Sequence, residues 1–380
     1  MEKITLLQVP KLTIGCGCLA QCKLYLSASA FKRAFLVAPP IARKHAEKIL
    51  AGLPASYIED SIEAEPSIAS FKQILDHARH FEPDVIIGIG GGSALDVAKL
   101  VAALWNSAQQ IEEVMGINLL RERKTALVCI PTTAGTGSEV SPNAILLDEA
   151  DKIKKGIISP CLVPDAVFVD AELTLTVPPS VTAATGLDAL THCIETYTNR
   201  FAHPVVDIWA LEGIRLIASA LVEAVQQPAS LDAREKMARG SLYGGLCLGP
   251  VNTAAVHALS YPLGGWFHIA HGHANAILLP HVMRFNSVEA PSRYADVAVA
   301  MGVQRESSDQ ATAESGVLKL WSLIKATKLE MELSALGIRE NDLPRLATAG
   351  LGVTRLMKNN PRSMSQQEAE AIYRLAYKGA

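Results

Sequence analysis

The chain has 380 residues, 49% hydrophobic and 19% charged, which is ample for a large core and, by length, for more than one domain. A formal net charge of −3 and the absence of a basic run exclude the footprint of a nucleic-acid or anionic-membrane binder. No apolar window reaches transmembrane length, and MEKITLLQVPKL has no signal-peptide core, so a soluble cytoplasmic protein with no membrane or nucleic-acid partner is expected.

Residues 12 to about 170 alternate short β-branched runs with helical ones. The GCGCLAQC group, Cys16, Cys18 and Cys22, reads as a small-residue turn leading into a helix, since no second cysteine pair follows to complete a metal site. Strands are predicted at 34–37, 56–58, 84–89, 125–130, 144–147 and 166–169, with helices at 42–50 and 68–80. Strands separated by helices of about a dozen residues predict a parallel α/β sheet with right-handed crossovers.

Two loops in this half look made for an anion. The apolar strand DVIIGI runs into Gly90, Gly91, Gly92 and Ser93 and then a helix. Glycines let the backbone approach a phosphate, Ser93 is a candidate N-cap, and the helix dipole favours the charge. The match to G-x-G-x-x-G is partial, because Ser93 stands where the third glycine would be, and the loop follows a late strand. The second loop, PTTAGTGSEVSPNA (131–144), brings the hydroxyls of Thr132, Thr133, Thr136 and Ser138 around two glycines. Both loops follow parallel strands at the end where open α/β sheets bind ligands.

Past Val177, Pro178 and Pro179 the pattern turns helical, at 205–227, 231–248, 313–326 and 365–377, and strand signals almost vanish. The expected organisation is a 1–178 α/β dinucleotide-binding domain followed by a 179–380 all-helical metal-binding domain. In GLDALTHCIE, Asp188 and His192 stand four apart and share a face if the segment is helical. Five of the ten histidines then lie between His257 and His281. A carboxylate and several imidazoles suit a divalent transition metal. The residue pattern alone does not choose among His257, His268, His271, His273 and His281.

With GGGSALDVAK (90–99), PTTAGTGSEVSPNA (131–144), GLDALTHCIETYT (186–198), the block ending HGHANAILLPHVMRFN and NNPR (359–362), the chain resembles the iron-containing (group III) alcohol dehydrogenase family over nearly its whole length. The resemblance implies the dehydroquinate synthase-like fold of that family, an N-terminal dinucleotide-binding domain and a C-terminal helical domain with the site in the cleft between them. It implies metal ligands Asp188, His192, His257 and His271, holding Fe2+ or Zn2+. It further implies that Gly90, Gly91, Gly92, Ser93, Asp96, Thr132, Thr133, Thr136 and Lys154 line NAD or NADP, and that the enzyme is a homodimer. The expected reaction is hydride transfer between the nicotinamide and a small alcohol or its aldehyde or ketone.

Two positions depart from the family pattern. Many members have a histidine four residues after the third ligand, and here that place is Tyr261. A hydroxyl that ionises near ~10 is a poor proton shuttle at neutral pH. Tyr261 is therefore expected to orient substrate, with His273 or His268 exchanging the proton. Many members also carry an acidic residue after the second strand, where this chain has Pro39 and Pro40 with Arg43 and Lys44 nearby. A carboxylate there would repel a 2′-phosphate, so its absence predicts tolerance of NADP(H). The rival readings are a maleylacetate reductase-like enzyme reducing a C=C bond, a dehydroquinate synthase-like lyase, and a non-catalytic metal or nucleotide sensor.

Overall fold

The structure, a computed structural model, describes residues 3–151 and 153–379. The chain divides into two compact units, Leu6–Thr176, and Val177–Ala380 with the residues up to Thr5.

The strands of the first unit are β1 (Lys11–Ile14), β2 (Arg33–Val37), β3 (Ala55–Glu59), β4 (Val85–Gly90), β5 (Gly116–Ile117), β6 (Ala126–Pro131), β7 (Asn143–Asp148), β8 (Ile153–Ile158) and β9 (Ala166–Val169). Six form one sheet in the order β1-β9-β6-β4-β2-β3, with every pairing parallel. Helices α1 (Leu19–Ala28), α2 (Arg43–Leu50), α3 (Ile68–Phe81) and α4 (Gly92–Leu104) cross between them. Strand β4 is inside the sheet and buried along its whole length, which is why its sequence is continuously apolar rather than alternating. Its register against β6 pairs Ile89 with Ile130 and Gly90 with Pro131. The two strands therefore end level, and the loops that follow them leave the sheet side by side.

Two local expectations are corrected. The strand expected at 144–147 does not join the parallel sheet. It is β7, paired antiparallel with β8 in a separate three-stranded sheet of order β5-β8-β7. Ser93 is not the N-cap of α4 either. Gly91 holds that place, and the Ser93 hydroxyl donates to the Ala64 carbonyl. The GCGC segment is a turn entering α1, with Asp170 accepting from the Gly17 and Leu19 amides. Burial pushes the Cys18 and Cys22 thiols up to about 12, so they act as packing groups.

Among its described residues, the second unit is helical, with α5 (Pro179–Tyr197), α6 (Pro204–Gln226), α7 (Leu231–Leu248), α8 (Ala255–Phe267), α9 (His271–Ser287), α10 (Pro291–Ala300), α11 (Asp309–Thr327), α12 (Leu343–Leu351), α13 (Thr354–Met357) and α14 (Gln366–Lys378). Helix α5 is buried along nearly all of its last three turns and packs on α6, α7 and α9. Glycine permits one of these approaches. A Cβ on Gly272 would lie 2.3 Å from the Ala184 carbonyl oxygen, so only glycine lets the start of α9 reach α5. The NNPR segment closes the unit, with Asn359 donating to the Thr253 carbonyl (2.7 Å) and Asn360 paired with Asn286 (2.8 Å). No helix among the described residues is long and apolar enough to cross a membrane.

Candidate active site

Helices α5, α8 and α9 bring four side chains to one point. Asp188 and His192 are one turn apart on α5, His257 lies in the first turn of α8, and His271 opens α9. Asp188 Oδ1 lies 3.9 Å from His192 Nε2 and 3.7 Å from the Nε2 atoms of both His257 and His271. The rings of His192 and His257 stack at 4.8 Å, and that of His271 tilts against His257 at 5.2 Å. Burial pushes the Asp188 carboxyl up, but His192, His271, His257 and the Asn275 amide outweigh it and hold the group below its ordinary range.

The donor set fits a divalent ion. Three imidazole nitrogens and one carboxylate oxygen converge, and ligand atoms of Asp188, His192 and His257 all lie within 4.8 Å of one another. Asn275 supplies a second sign. Its amide nitrogen donates to Asp188 Oδ1 (2.7 Å) and lies 3.1 Å from His257 Nε2 and 3.3 Å from His271 Nε2. An amide NH2 has two hydrogens and can only donate; with one on Asp188, the other reaches the nearer Nε2, that of His257, whose lone pair is one that a cation needs. Asn275 is fully buried, and its Oδ1 has no hydrogen-bond partner among the described residues.

Glu195, one turn beyond His192, completes the arrangement. It accepts from the backbone N–H of Val256 (2.6 Å) and from His257 Nδ1 (2.6 Å). The first bond caps α8. The second puts the His257 proton on Nδ1 and turns Nε2 inward, as carboxylate partners do for metal-binding histidines. Sequence reasoning missed Glu195 and Asn275. The signal for Glu195 was its position seven residues after Asp188 on the same helix face, and for Asn275 its spacing of four from His271.

The other candidate histidines lie elsewhere. His268 is the exposed C-cap of α8, His273 Nε2 bonds the Glu330 carbonyl, and His281 is buried edge-on to Trp321 at 5.3 Å. Tyr261 is buried one turn beyond His257, its ring 6.1 Å from that of His271. The His271 side chain is 24% exposed, whereas His192 and His257 are below a tenth, so the cluster opens on the His271 side.

In the first unit the two loops touch. A Cβ on Gly92 would lie 2.6 Å from Thr136 Cγ2, and the Thr132 amide donates to the Gly90 carbonyl (2.9 Å). Asp96 and a residue the sequence reading passed over, Lys99, bind the second loop to α4. Asp96 takes the Ser138 hydroxyl on one oxygen and the Ile145 amide on the other, while the fully buried Lys99 Nζ donates to Ser138 Oγ (2.9 Å) and the Ser141 and Asn143 carbonyls (2.9 and 2.8 Å). Both Asp96 oxygens are thus engaged in holding the loop. Lys154 pairs with Glu65 at 2.7 Å. The Thr132 and Thr133 hydroxyls are half-buried and make no protein hydrogen bond among the described residues.

A parallel sheet with two anion-receptive loops and a helical unit with a buried histidine–carboxylate cluster are the equipment of a metal-dependent, dinucleotide-linked dehydrogenase. The model of iron-containing alcohol dehydrogenases matches residues 10–171, and that of the C-terminal part of the same family matches residues 182–377. The chain is 37% identical to long-chain-alcohol dehydrogenase 1 of Geobacillus thermodenitrificans, over 85% of this chain and 82% of that one. It is 33% identical to lactaldehyde reductase of Escherichia coli, over 90% of each. The crystal structure of a 1,3-propanediol oxidoreductase superposes with a TM-score of 0.95 at 32% identity, covering 99% of this chain and all of that one. The chain belongs to the iron-containing alcohol dehydrogenase family. It is a metal-dependent, NAD(P)-linked oxidoreductase that interconverts an alcohol and its carbonyl compound.

Proposed function

We propose that Asp188, His192, His257 and His271 hold one divalent ion, Fe2+ with Zn2+ as the alternative, and that substrate is a small alcohol or aldehyde presented on the His271 side. The observation that carries this reading is the convergence of three Nε2 atoms on one Asp188 oxygen. Such an ion would act as a Lewis acid on the alcohol or carbonyl oxygen, and a nicotinamide would exchange the hydride. The chain's own residues do the rest. Glu195 fixes the His257 tautomer, Asn275 holds the Asp188 carboxylate and the His257 lone pair in place, and Tyr261 orients substrate beside His271. For proton exchange with solvent, His273, whose Nε2 contacts the Glu330 carbonyl, and His268, an exposed residue, remain the two candidates.

The loops at 90–93 and 131–141 hold the dinucleotide pyrophosphate, with Gly90, Gly91 and Gly92 giving backbone access and the Thr132, Thr133 and Thr136 hydroxyls donating. Asp96 and Ser93 act by bracing these loops, and Lys154 lies beside the cofactor. The relatives' names range from long-chain alcohols to lactaldehyde, so the family alone does not set the substrate. A homodimer in the cytoplasm is the expected form.

His271→Ala tests the metal assignment. The variant is expected to remain folded, to retain less than a tenth of the metal of the parent, and to lose most activity, since polarisation by the ion supplies several kcal/mol at the transition state. Full turnover by metal-free His271→Ala enzyme would sink the reading.

A further inference from the structure

Strand β2 ends at Val37 and runs into Pro39 and Pro40, so it brings no carboxylate to its own carboxyl end. The neighbouring strand supplies one. In the β2–β3 pairing Val37 lies beside Glu59, and the Ala38 amide donates to the Glu59 carbonyl (2.9 Å). Asp60 therefore leaves the sheet level with Ala38 and Pro39. Pro39 in turn abuts the glycine loop, since a Cβ on Gly90 would lie 3.0 Å from Pro39 Cδ. An open α/β sheet that seats a pyrophosphate on such a loop places the adjoining ribose at the carboxyl end of the next strand.

Of the two acids that end β3, only Asp60 is available to a ligand. Glu59 is buried, with Oε1 accepting from the Ser61 amide (3.0 Å) and hydroxyl (2.5 Å) and Oε2 2.6 Å from His77 Nδ1. Those bonds pin the turn after β3 and so fix where Asp60 stands. The Asp60 side chain is 41% exposed and its Oδ2 lies 2.6 Å from Nη1 of Arg43, the first residue of α2. Arg43 is 49% exposed and also touches Glu47 at 3.2 Å. An exposed pair of this kind is weakly held, so a ligand can draw either partner away at little cost. A carboxylate accepts from a ribose 2′-hydroxyl and repels a 2′-phosphate, whereas a guanidinium fork binds the phosphate in parallel hydrogen bonds.

We propose that Asp60 and Arg43 form the ribose 2′ subsite, with Asp60 accepting from the 2′-hydroxyl of NAD(H) and Arg43 holding the 2′-phosphate of NADP(H). Their hold on each other then sets the ratio of the two affinities. This rests on the reading that the 90–93 and 131–141 loops seat the pyrophosphate. Both are specificity residues and take no part in the hydride step.

The test is dinucleotide binding by the whole protein, with Kd for NADH and for NADPH taken from nicotinamide fluorescence titrations. Asp60→Asn removes the repelling charge and frees Arg43. It is expected to tighten NADPH and weaken NADH, moving the ratio of the two Kd values by about tenfold or more, the scale of one charge-assisted contact. Arg43→Gln should move the ratio by a similar factor in the opposite direction, and Arg43→Lys should keep part of the parent's NADPH affinity. Added salt should weaken NADPH more than NADH in the parent, and Arg43→Gln should lose most of that difference. In metal-loaded enzyme the same shifts should appear in the cofactor KM while kcat stays level, a split that damage to the fold would not give. If Asp60→Asn fails to fold, Arg43→Gln and the salt dependence decide. Binding of both dinucleotides with a ratio that the folded variants leave within about twofold of the parent's overturns the subsite alone. Failure of the parent to bind either dinucleotide overturns the pyrophosphate-loop reading and the subsite with it.

Discussion

Glu195 and Asn275 act on the cluster without being ligands, and each makes a different prediction. Glu195 is a buried carboxylate whose two short bonds go to the Val256 amide and His257 Nδ1. Glu195→Gln keeps the size but removes the charge and one acceptor, so His257 loses its fixed tautomer. Metal affinity, measured by chelator competition, should fall about 10- to 100-fold, the usual cost of losing such a partner; an unchanged Kd would contradict the role. Asn275 donates to Asp188 and to the His257 lone pair, both of which an ion would take. Asn275→Ala should therefore destabilise the metal-free protein by about 1–3 kcal/mol, the cost of leaving buried acceptors without a donor. The metal-loaded protein should lose less. Denaturant melts with and without metal check this, and equal losses in the two forms would count against it.

At the scale of elements, α9 carries most of the site's vulnerability. Its first turn fits against α5 because residue 272 has no side chain. In Gly272→Ala the new methyl would press on the Ala184 backbone and on Asp188 Cβ, 3.1 Å away, and neither is a flexible chain end. The expected result is a loss of about 1–3 kcal/mol, typical of overpacking, together with weaker metal binding because His271 is displaced. Normal affinity in a stable Gly272→Ala protein would show that the helix can shift at no cost. Farther along α9, His281 is buried with its Nε2 unpartnered among the described residues, and burial followed by the Arg284 charge lowers its pKa to about 4. Above the unfolded value of about 6.5 neither state is protonated. As pH falls from there toward 4 the unfolded chain takes up a proton that the folded one refuses, so stability drops, by on the order of 3 kcal/mol in total. His281→Phe should lose less stability than the parent over that interval, in melts recorded at pH 6.5 and pH 4.

These elements also show what the sequence makes legible and what it hides. The Asp188–His192 pair is readable because four residues is one helical turn. His271 and His273, two apart, point to different faces of α9, but that separation becomes readable only once the helix start is known. HIAHGHAN offers no capping residue to mark it, and Pro262 and Pro280 argue against the two long helices that packing imposes. Strand β8 is hidden by its lysines, Lys154 and Lys155, which are satisfied by Glu65 and by Asp148 and Asp151 rather than by solvent alone. For Glu195 the spacing of seven from Asp188 on one helix face is the only signal, since residue type alone does not tell a buried capping carboxylate from an exposed one.

For the whole molecule, the change from an α/β part to a helical one is legible because strand and helix periodicities segregate around residue 177. Cofactor choice belongs to this scale too. No carboxylate follows β2, and Arg43 is shared between Glu47 (3.2 Å) and Asp60 (2.6 Å). NADP(H) should therefore be accepted beside NAD(H). Specificity constants for the two decide it, and a preference for NAD(H) of about a thousandfold, roughly 4 kcal/mol, would show that another group excludes the 2′-phosphate. The account as a whole depends on the cluster in the helical unit. The most direct test is metal content by elemental analysis on purified parent protein and on Asp188→Asn, His192→Ala, His257→Ala and His271→Ala, each reconstituted with Fe2+ or Zn2+ and checked for folding. The account predicts close to one ion per parent chain, a marked loss in every folded variant, and activity that follows metal content. Full occupancy retained by all four variants, or undiminished turnover in a metal-free parent, would contradict it.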